Sequence, residues 1–259
     1  MRTNLIAGDQ TLTCVLQKQE YIQGELIQGK VSASSGDWKD VALNLLMLKQ
    51  DEKKTKAPVV LGQWPVELVP SEVDKLDRRF SFKLGSNGIV SDEASGFYLQ
   101  IQHLKEAKFS NLFLKTNPLS LYASIIEVLE RMFRFKSKKY YGLLPPAKFV
   151  TKMISIKEIL EYESKVLYEF KAPESKEFGH CTKFDLSLSK SQDCLQLEIS
   201  STWKKIEMSG LVMATKNVKK TTSGEWPLSK ILQSGKDFDH EWVQKNWQDL
   251  LQEVKEKLV

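Results

Sequence analysis

From Leu12 to Lys115, apolar and polar residues alternate with a period of two. Leu12, Cys14 and Leu16 are in step, as are Val41, Leu43, Leu45 and Met47 within WKDVALNLLMLKQ. QWPVELV follows, then RRFSFKL with Phe80, Phe82 and Leu84, GFYLQIQ with Phe97, Leu99 and Ile101, and finally NLFLK. The runs are separated by SSGD, the charged DEKKTKAP, SEVDKLD and GSNG, all compositions that favour turns and loops. Side chains of a strand point alternately to opposite faces, so each run offers one apolar face, and several short runs at this spacing predict an antiparallel sandwich.

Asn117-Pro118 ends the alternation. Asn is a good helix N-cap, and Pro is tolerated at the first helical position. In LSLYASIIEVLERMF the apolar residues Tyr122, Ile125, Ile126, Leu129 and Phe133 recur at helical spacing, with Glu127 and Arg131 four apart. This predicts a helix over about 119–133. A basic segment, RFKSKKYYGLLPP, comes next, and strands resume in KFVTKMISI, KVLYEFK, TKFDLSLSK and CLQLEIS. SKSQD, between the last two, reads as a hairpin turn. At the C-terminus Asp239 can cap HEWVQKNWQDLLQEVKEKLV, where Val243, Trp247, Leu250, Leu251, Val254 and Leu258 form one stripe. Such a stripe is either core or a docking face for a partner, so Val243, Trp247, Leu250, Leu251 and Val254 are candidate docking residues.

Composition narrows the class. The chain has 259 residues, 41% of them hydrophobic, which suits one large domain or two smaller ones. No stretch reaches the roughly 18 apolar residues of a membrane span, and MRTNLIAGDQTLT makes a poor signal peptide. Cys14, Cys181 and Cys194 form no CxxC pair and leave one thiol over in any disulfide scheme, the usage of a reduced, cytoplasmic protein. The net charge of +5 permits contact with anionic surfaces without arguing for one.

Gly24-Glu-Leu-Ile-Gln-Gly-Lys-Val31 nearly spells a phosphate-binding P-loop. The pattern requires Ser or Thr after the lysine, to reach a magnesium ion, and here Val31 stands in its place. A carboxylate and a β-branched residue in the spacer also disfavour a tight anion cradle. Ile27, Val31 and Ala33 alternate with polar neighbours, so a strand is the better reading.

Catalytic and metal motifs are not evident. His180 and Cys181 are adjacent, so on a strand they face opposite ways and cannot act as base and nucleophile. His103 and His240 have no ligand spacing around them, and neither GxSxG nor HExxH occurs. No cofactor, metal site or catalytic residue is assigned; a pair of acids brought together from distant strands stays open, leaving a hydrolase or carbohydrate-binding sandwich as a minor alternative. Basic residues gather at Arg134, Lys136, Lys138 and Lys139, at Lys204 and Lys205, and at Lys216, Lys219 and Lys220. The first group is interleaved with Phe133, Phe135, Tyr140 and Tyr141, a mixture that can meet lipid headgroups; the bland alternative is a solvated linker. Arg134, Lys136, Lys138, Lys139 and Tyr140 are therefore candidate anion or lipid contacts.

YIQGELIQGKV, lying between a first strand and the apolar VALNLLML, resembles the early strand pair of arrestin-like domains, with Tyr21, Gly24, Glu25 and Gly29 carrying the match. RRFSFKL resembles an arrestin strand that commonly runs into a proline-containing loop; this chain has Gly85-Ser-Asn-Gly88 there, and Gln23 where proline is common. PLSLYASIIEVLERMF and KVLYEFKAPESKEFGHCTKFDLSLSKSQDCLQLEISSTWK, which includes Asp185, resemble the bacterial sporulation-control (SpoOM) family. The resemblance implies an all-β fold of two tandem arrestin-like antiparallel β-sandwich domains with an interdomain helix and a C-terminal helix. The corresponding division is 1–117, a helix and basic linker over 118–145, 146–235, and the amphipathic helix 236–259. It also implies a non-enzymatic regulator acting through protein partners, as in sporulation control and stress response. Weak contact with an anionic membrane is the alternative, and nucleic acid is not an expected partner.

Overall fold

The computed structural model describes residues 1–49, 57–92, 95–143, 150, 152, 155–162, 164–209, 212–233 and 237–256. The chain is predominantly antiparallel sheet with a long helix at its C-terminus, and it divides into two compact units: Met1–Leu119 with Gly142–Ser164, and Ser120–Tyr141 with Lys165–Val259.

The first unit is a sandwich of two five-stranded sheets. One sheet holds β1 (Arg2–Ala7), β2 (Gln10–Leu16), β4 (Leu26–Ala33), β8 (Asp77–Lys83) and β7 (Val69–Pro70), in that order. The other holds β3 (Glu20–Ile22), β10 (Lys108–Asn117), β9 (Ser95–His103), β5 (Val41–Lys49) and β6 (Val59–Val66), with β3 parallel to β10. The period-two residues make the core: Leu12, Cys14, Ile27, Val31, Leu45, Phe97, Leu99, Ile101 and Leu114 are all buried. A short helix, α2 (Ile156–Leu160), adds Ile159 and Leu160 to this core. It starts on a capping box, in which Ser155 Oγ accepts from Glu158 N and the Glu158 carboxylate accepts from Ser155 N. The expected strand KFVTKMISI lies largely outside the described residues, and its last residue, Ile156, begins α2. Residues 51–56 of the charged loop also lie outside them.

The near-P-loop segment is β4. Its Lys30 pairs with Asp77 Oδ2 at 2.7 Å on the neighbouring β8. Gly29 is there for packing: a Cβ would come within 2.3 Å of the Phe80 ring and 2.5 Å of the Val15 carbonyl. Gly24 turns the chain at φ +83°, and the Glu25 carboxylate accepts from Ile22 N at 2.9 Å across that turn. This hydrogen bond, with the Lys18 ammonium 3.0 Å away, holds the Glu25 carboxyl below the usual range.

The two departures from the arrestin-like pattern meet in space. Gln23 is buried; its amide NH2 donates to the Gly88 carbonyl, and its Oε1 accepts from Leu119 N at 3.1 Å. Gly24 N donates to the Gly85 carbonyl, and Gly85 N to Leu160 O, where a Cβ on Gly85 would sit 2.3 Å from that oxygen. A glutamine in place of proline thus supplies the hydrogen bonds that a glycine-rich loop leaves open.

In the second unit, one five-stranded sheet runs β11 (Lys136–Gly142), β12 (Val166–Lys171), β13 (Cys181–Lys190), β14 (Cys194–Ser209) and β15 (Val212–Pro227). The helices α1 (Ser120–Phe133), α3 (Leu228–Ile231) and α4 (His240–Glu256) accompany it, with the short strands β16 (Leu232–Gln233) and β17 (Asp237–Phe238). Cross-strand neighbours on one face are apolar: Val166 opposes Leu188, Tyr168 opposes Leu186, and Leu186 opposes Ile199. The opposite face carries Ser187, Ser189, Gln196, Glu198 and Ser223.

The all-β fold with antiparallel sheets and a C-terminal helix is as expected; among the described residues of the second unit, the large sheet β11–β15 is joined by the two-stranded β16–β17, and the buried stripes of α1 and α4 lie in the same unit. The units differ from the expected division at residues 118–145. The segment 118–145 does not form a separate linker: α1 is buried along Tyr122, Ile125, Ile126, Val128 and Leu129, and β11 is the sheet's edge strand. Alternating lysines are the residues that an exposed edge strand tolerates.

Candidate interaction surfaces

The stripe on α4 faces inward. Val243, Trp247, Leu250, Leu251 and Val254 are all buried in the second unit. The Trp247 indole N–H donates to the Ile125 carbonyl of α1 at 3.1 Å, and its ring stands edge-on to Trp226 of β15, with centroids 5.1 Å apart. Trp226 also meets Trp242 edge-on at 5.9 Å. In this conformation the five residues form core and offer no face to a partner, which corrects the docking-helix expectation. Asp239 is the expected cap: its Oδ1 accepts from Trp242 N at 2.9 Å and its Oδ2 from Gln233 Nε2 at 2.6 Å.

The basic group at 134–140 is split by strand geometry. Arg134 closes α1 at φ +60°, in the left-handed region, with Arg134 N donating to Glu130 O. Lys136 and Lys138 are exposed on β11. Lys139 lies on the other face, 3.9 Å from Glu169 and over the Tyr141 ring at 4.6 Å. Tyr140 packs on Tyr168 at 5.9 Å, and Phe135 is fully buried against Phe170, Phe178 and Phe184. Of the aromatics expected to work beside the lysines, Phe135 and Tyr140 are therefore engaged in the unit's own packing, while Tyr141 lies under Lys139.

The outer face of the second sheet places acids side by side. Glu169 of β12 directly opposes Asp185 of β13. Asp185 is buried, with Oδ2 paired to Lys183 at 2.7 Å and Oδ1 without a hydrogen-bond partner. Nearby, a shallow depression of about 320 Å³ is lined by Lys165, Ser187, Gln196, Glu198, Ser223 and Glu225, among others. Its two glutamates are already engaged: Glu198 with Lys165 at 3.2 Å, Glu225 accepting from Cys194 Sγ at 2.7 Å. No aromatic side chain lines it. Among the described residues, no group of three or more His, Cys, Asp or Glu could hold a metal ion. Burial pushes the Cys14 thiol up to about 12 and that of Cys181 to about 11, while a hydrogen bond to Glu225 raises that of Cys194, so none is activated as a thiolate. No helix among the described residues is long and apolar enough to cross a membrane.

Two surfaces were not anticipated from sequence. At β6, an edge strand that pairs with β5, Val59 and Val60 are 59% and 55% exposed. Their signal was present as a run, VVL, that breaks the alternation directly after the charged loop. The second is the β14–β15 hairpin, which joins the lysines of 204–205 with those of 216–220.

No protein-family model matches the chain, and no curated protein matches it by sequence. The structure is similar to that of Spo0M, a sporulation control protein from Bacillus subtilis, with a TM-score of 0.59 at 11% identity, covering 95% of this chain and 99% of that one. A squid arrestin matches with a TM-score of 0.26 at 10% identity, over 87% of this chain and 80% of that one. The likeness to the Bacillus protein runs through nearly the whole of both chains, and what the two share is the fold.

Proposed function

We propose that the chain is a non-enzymatic scaffold or regulator that works through contacts with protein partners, in the manner its family resemblance implies for control of sporulation or stress response. The observation that carries this reading is the apolar edge at β6. Two adjacent valines, each more than half exposed, sit on a strand that terminates its sheet. An exposed apolar edge is a template on which an extended segment of another protein can add a strand, with backbone hydrogen bonds giving affinity and side-chain contacts giving selectivity. Leu61 is the extra residue of a bulge and Pro65 lacks an N–H, which limits indiscriminate pairing further along.

The test is affinity capture with the full chain from its native lysate, beside the double substitution Val59→Lys/Val60→Lys. Val73→Lys, changing an exposed valine elsewhere, is the control. A partner retained by wild type and control but lost from the double variant supports the reading. An unchanged partner set removes the edge from it, and turnover of a substrate abolished by a single-site change removes the scaffold reading altogether.

A further inference from the structure

Lys204, Lys205, Lys216, Lys219 and Lys220, from two groups apart in sequence, lie on one antiparallel ribbon. β13 accompanies β14 only as far as Trp203. Lys204 N still donates to the His180 carbonyl beside β13; from Lys205 opposite Lys216 to Ser209 opposite Val212, β14 and β15 continue alone. Five residues at about 3.3 Å each carry this hairpin roughly 17 Å past the sheet. Residues 202–220 hold five lysines against one glutamate, a net +4. Lys205 and Lys216 lie on the projecting part, with Lys204, Lys219 and Lys220 at its base, the last two opposite Thr202 and Ser201.

Lys205 and Lys216 are direct cross-strand partners, an arrangement that like charges disfavour. Among the described residues, none of the five lysines is ion-paired. An external anionic surface would relieve that repulsion. The distal residues indicate which kind. Ile206 and Met213 are 58% and 72% exposed. Residues 204–220 contain neither an aromatic side chain on which bases could stack nor an arginine to clamp a phosphate in two-point fashion. Apolar residues at the far end with lysines behind them match the depth profile of a bilayer interface: the apolar end enters the headgroup–acyl boundary while the lysine stems reach back to phosphate and carboxylate groups.

We propose that the distal β14–β15 hairpin is a membrane-docking finger for surfaces rich in anionic lipid. It is separate from the β6 edge and does not depend on the scaffold reading.

The test is co-sedimentation of the full chain with phosphatidylcholine vesicles containing about 30% phosphatidylserine, against phosphatidylcholine alone, at low and physiological salt. Each lysine near such a surface is worth about fivefold in partitioning, so Lys204→Gln, Lys205→Gln, Lys216→Gln and Lys219→Gln together should lower it on the order of 100-fold or more. A charge-matched control changes Arg134, Lys136, Lys138 and Lys139 to Gln and should lower it far less. Ile206→Ser with Met213→Ser should lower vesicle binding on the order of 10-fold while leaving binding to a single-stranded DNA oligomer unchanged. Unaltered circular dichroism spectra establish that the variants are folded. Absence of binding to the anionic vesicles overturns the proposal, as does equal loss from both charge variants. Vesicle binding indifferent to the Ile206 and Met213 changes, with tighter binding to the oligomer, overturns it in favour of nucleic acid.

Discussion

Replacing Trp247 with alanine tests whether the C-terminal helix is structure or docking device. The side chain has no exposed surface, donates to the Ile125 carbonyl and stands edge-on to Trp226. Truncating a buried tryptophan to alanine costs about 3–5 kcal/mol through lost transfer energy and the cavity left behind. Trp247→Phe keeps a ring but loses the N–H, and should cost about 2 kcal/mol, roughly half of it from the hydrogen bond. A unit of this size is stable by about 5–15 kcal/mol, so the alanine variant gives up a large fraction of the total. The edge-on contact adds its own coupling: a cycle of Trp226→Leu, Trp247→Leu and the pair should show about 0.5–1.5 kcal/mol of interaction beyond area burial. Urea denaturation followed by far-ultraviolet circular dichroism gives these differences, and limited proteolysis identifies which unit opens first. A loss under about 1 kcal/mol for Trp247→Ala would refute the assignment of the α4 stripe to the core and return that face to partner binding. Removing residues 239–259 strips Val243, Trp247, Leu250, Leu251 and Val254 from the core, about 8–15 kcal/mol of burial, so a partner lost on truncation would report unfolding of the second unit and not a docking helix.

Gly29→Ala should destabilise the first unit by about 2 kcal/mol or more in thermal or urea unfolding, because its Cβ collides with a ring and a backbone carbonyl; Gly36→Ala, which meets nothing within 4 Å, should change stability by less than about 0.5 kcal/mol. Gln23→Ala leaves the Gly88 carbonyl and the Leu119 N–H without their partner and should cost about 2–3 kcal/mol by the same measurement, more than an exposed Gln→Ala change. The hydrogen bond from Gln233, then that from Trp242 N, holds the Asp239 carboxyl below its usual range. Its contribution is present above the unfolded carboxylate pKa of about 4 and is lost as pH falls through the lower folded value, so Asp239→Asn should flatten the decline of melting temperature below about pH 4 and leave its slope near neutrality unchanged. With a thiol-reactive dye near neutral pH, Cys14 should label only after unfolding, and Cys194 and Cys181 slowly in the native protein.

Strands that bury one face were legible because burial imposes the period of two. Leu12, Cys14 and Leu16 in β2, Phe97, Leu99 and Ile101 in β9, and Phe184, Leu186 and Leu188 in β13 are buried where the pattern placed them. The helix expected over about 119–133 runs Ser120–Phe133. Gly24, Glu25 and Gly29, three of the four residues that carry the arrestin-like match, have local structural jobs in a turn and in close packing. β11 and β15 were missed for the converse reason. Each is the edge of its sheet, and residues such as Lys136, Lys138, Lys216 and Lys219 face solvent, so no period is written into them. The five-residue α2 is too short to show a helical period at all. The layer that covers the second sheet was hidden differently. The α4 stripe was visible, yet periodicity says only that a face will be buried, not against what, and its partners Ile125 and Trp226 lie 122 and 21 residues away.

The features that escaped the sequence reading are the ones that bear on function. A core position is constrained by its neighbours and so announces itself through pattern. An edge strand is constrained by what must not happen there, namely indiscriminate pairing, and lysine, proline and bulges serve that end without leaving a period. β6 has the bulge and Pro65, and β11 has its lysines. Departures from such protection then become informative. Val59 and Val60 leave an edge apolar, and Ile206 and Met213 do the same near the end of a hairpin whose lysines already repel one another. Neither feature helps the unit in which it sits: exposed apolar surface gains nothing from folding, and opposed lysines weaken the ladder they share. Selection for stability alone would remove both, so a contact outside the chain is the physical account that the two surfaces share, with protein proposed at β6 and anionic lipid at the β14–β15 hairpin.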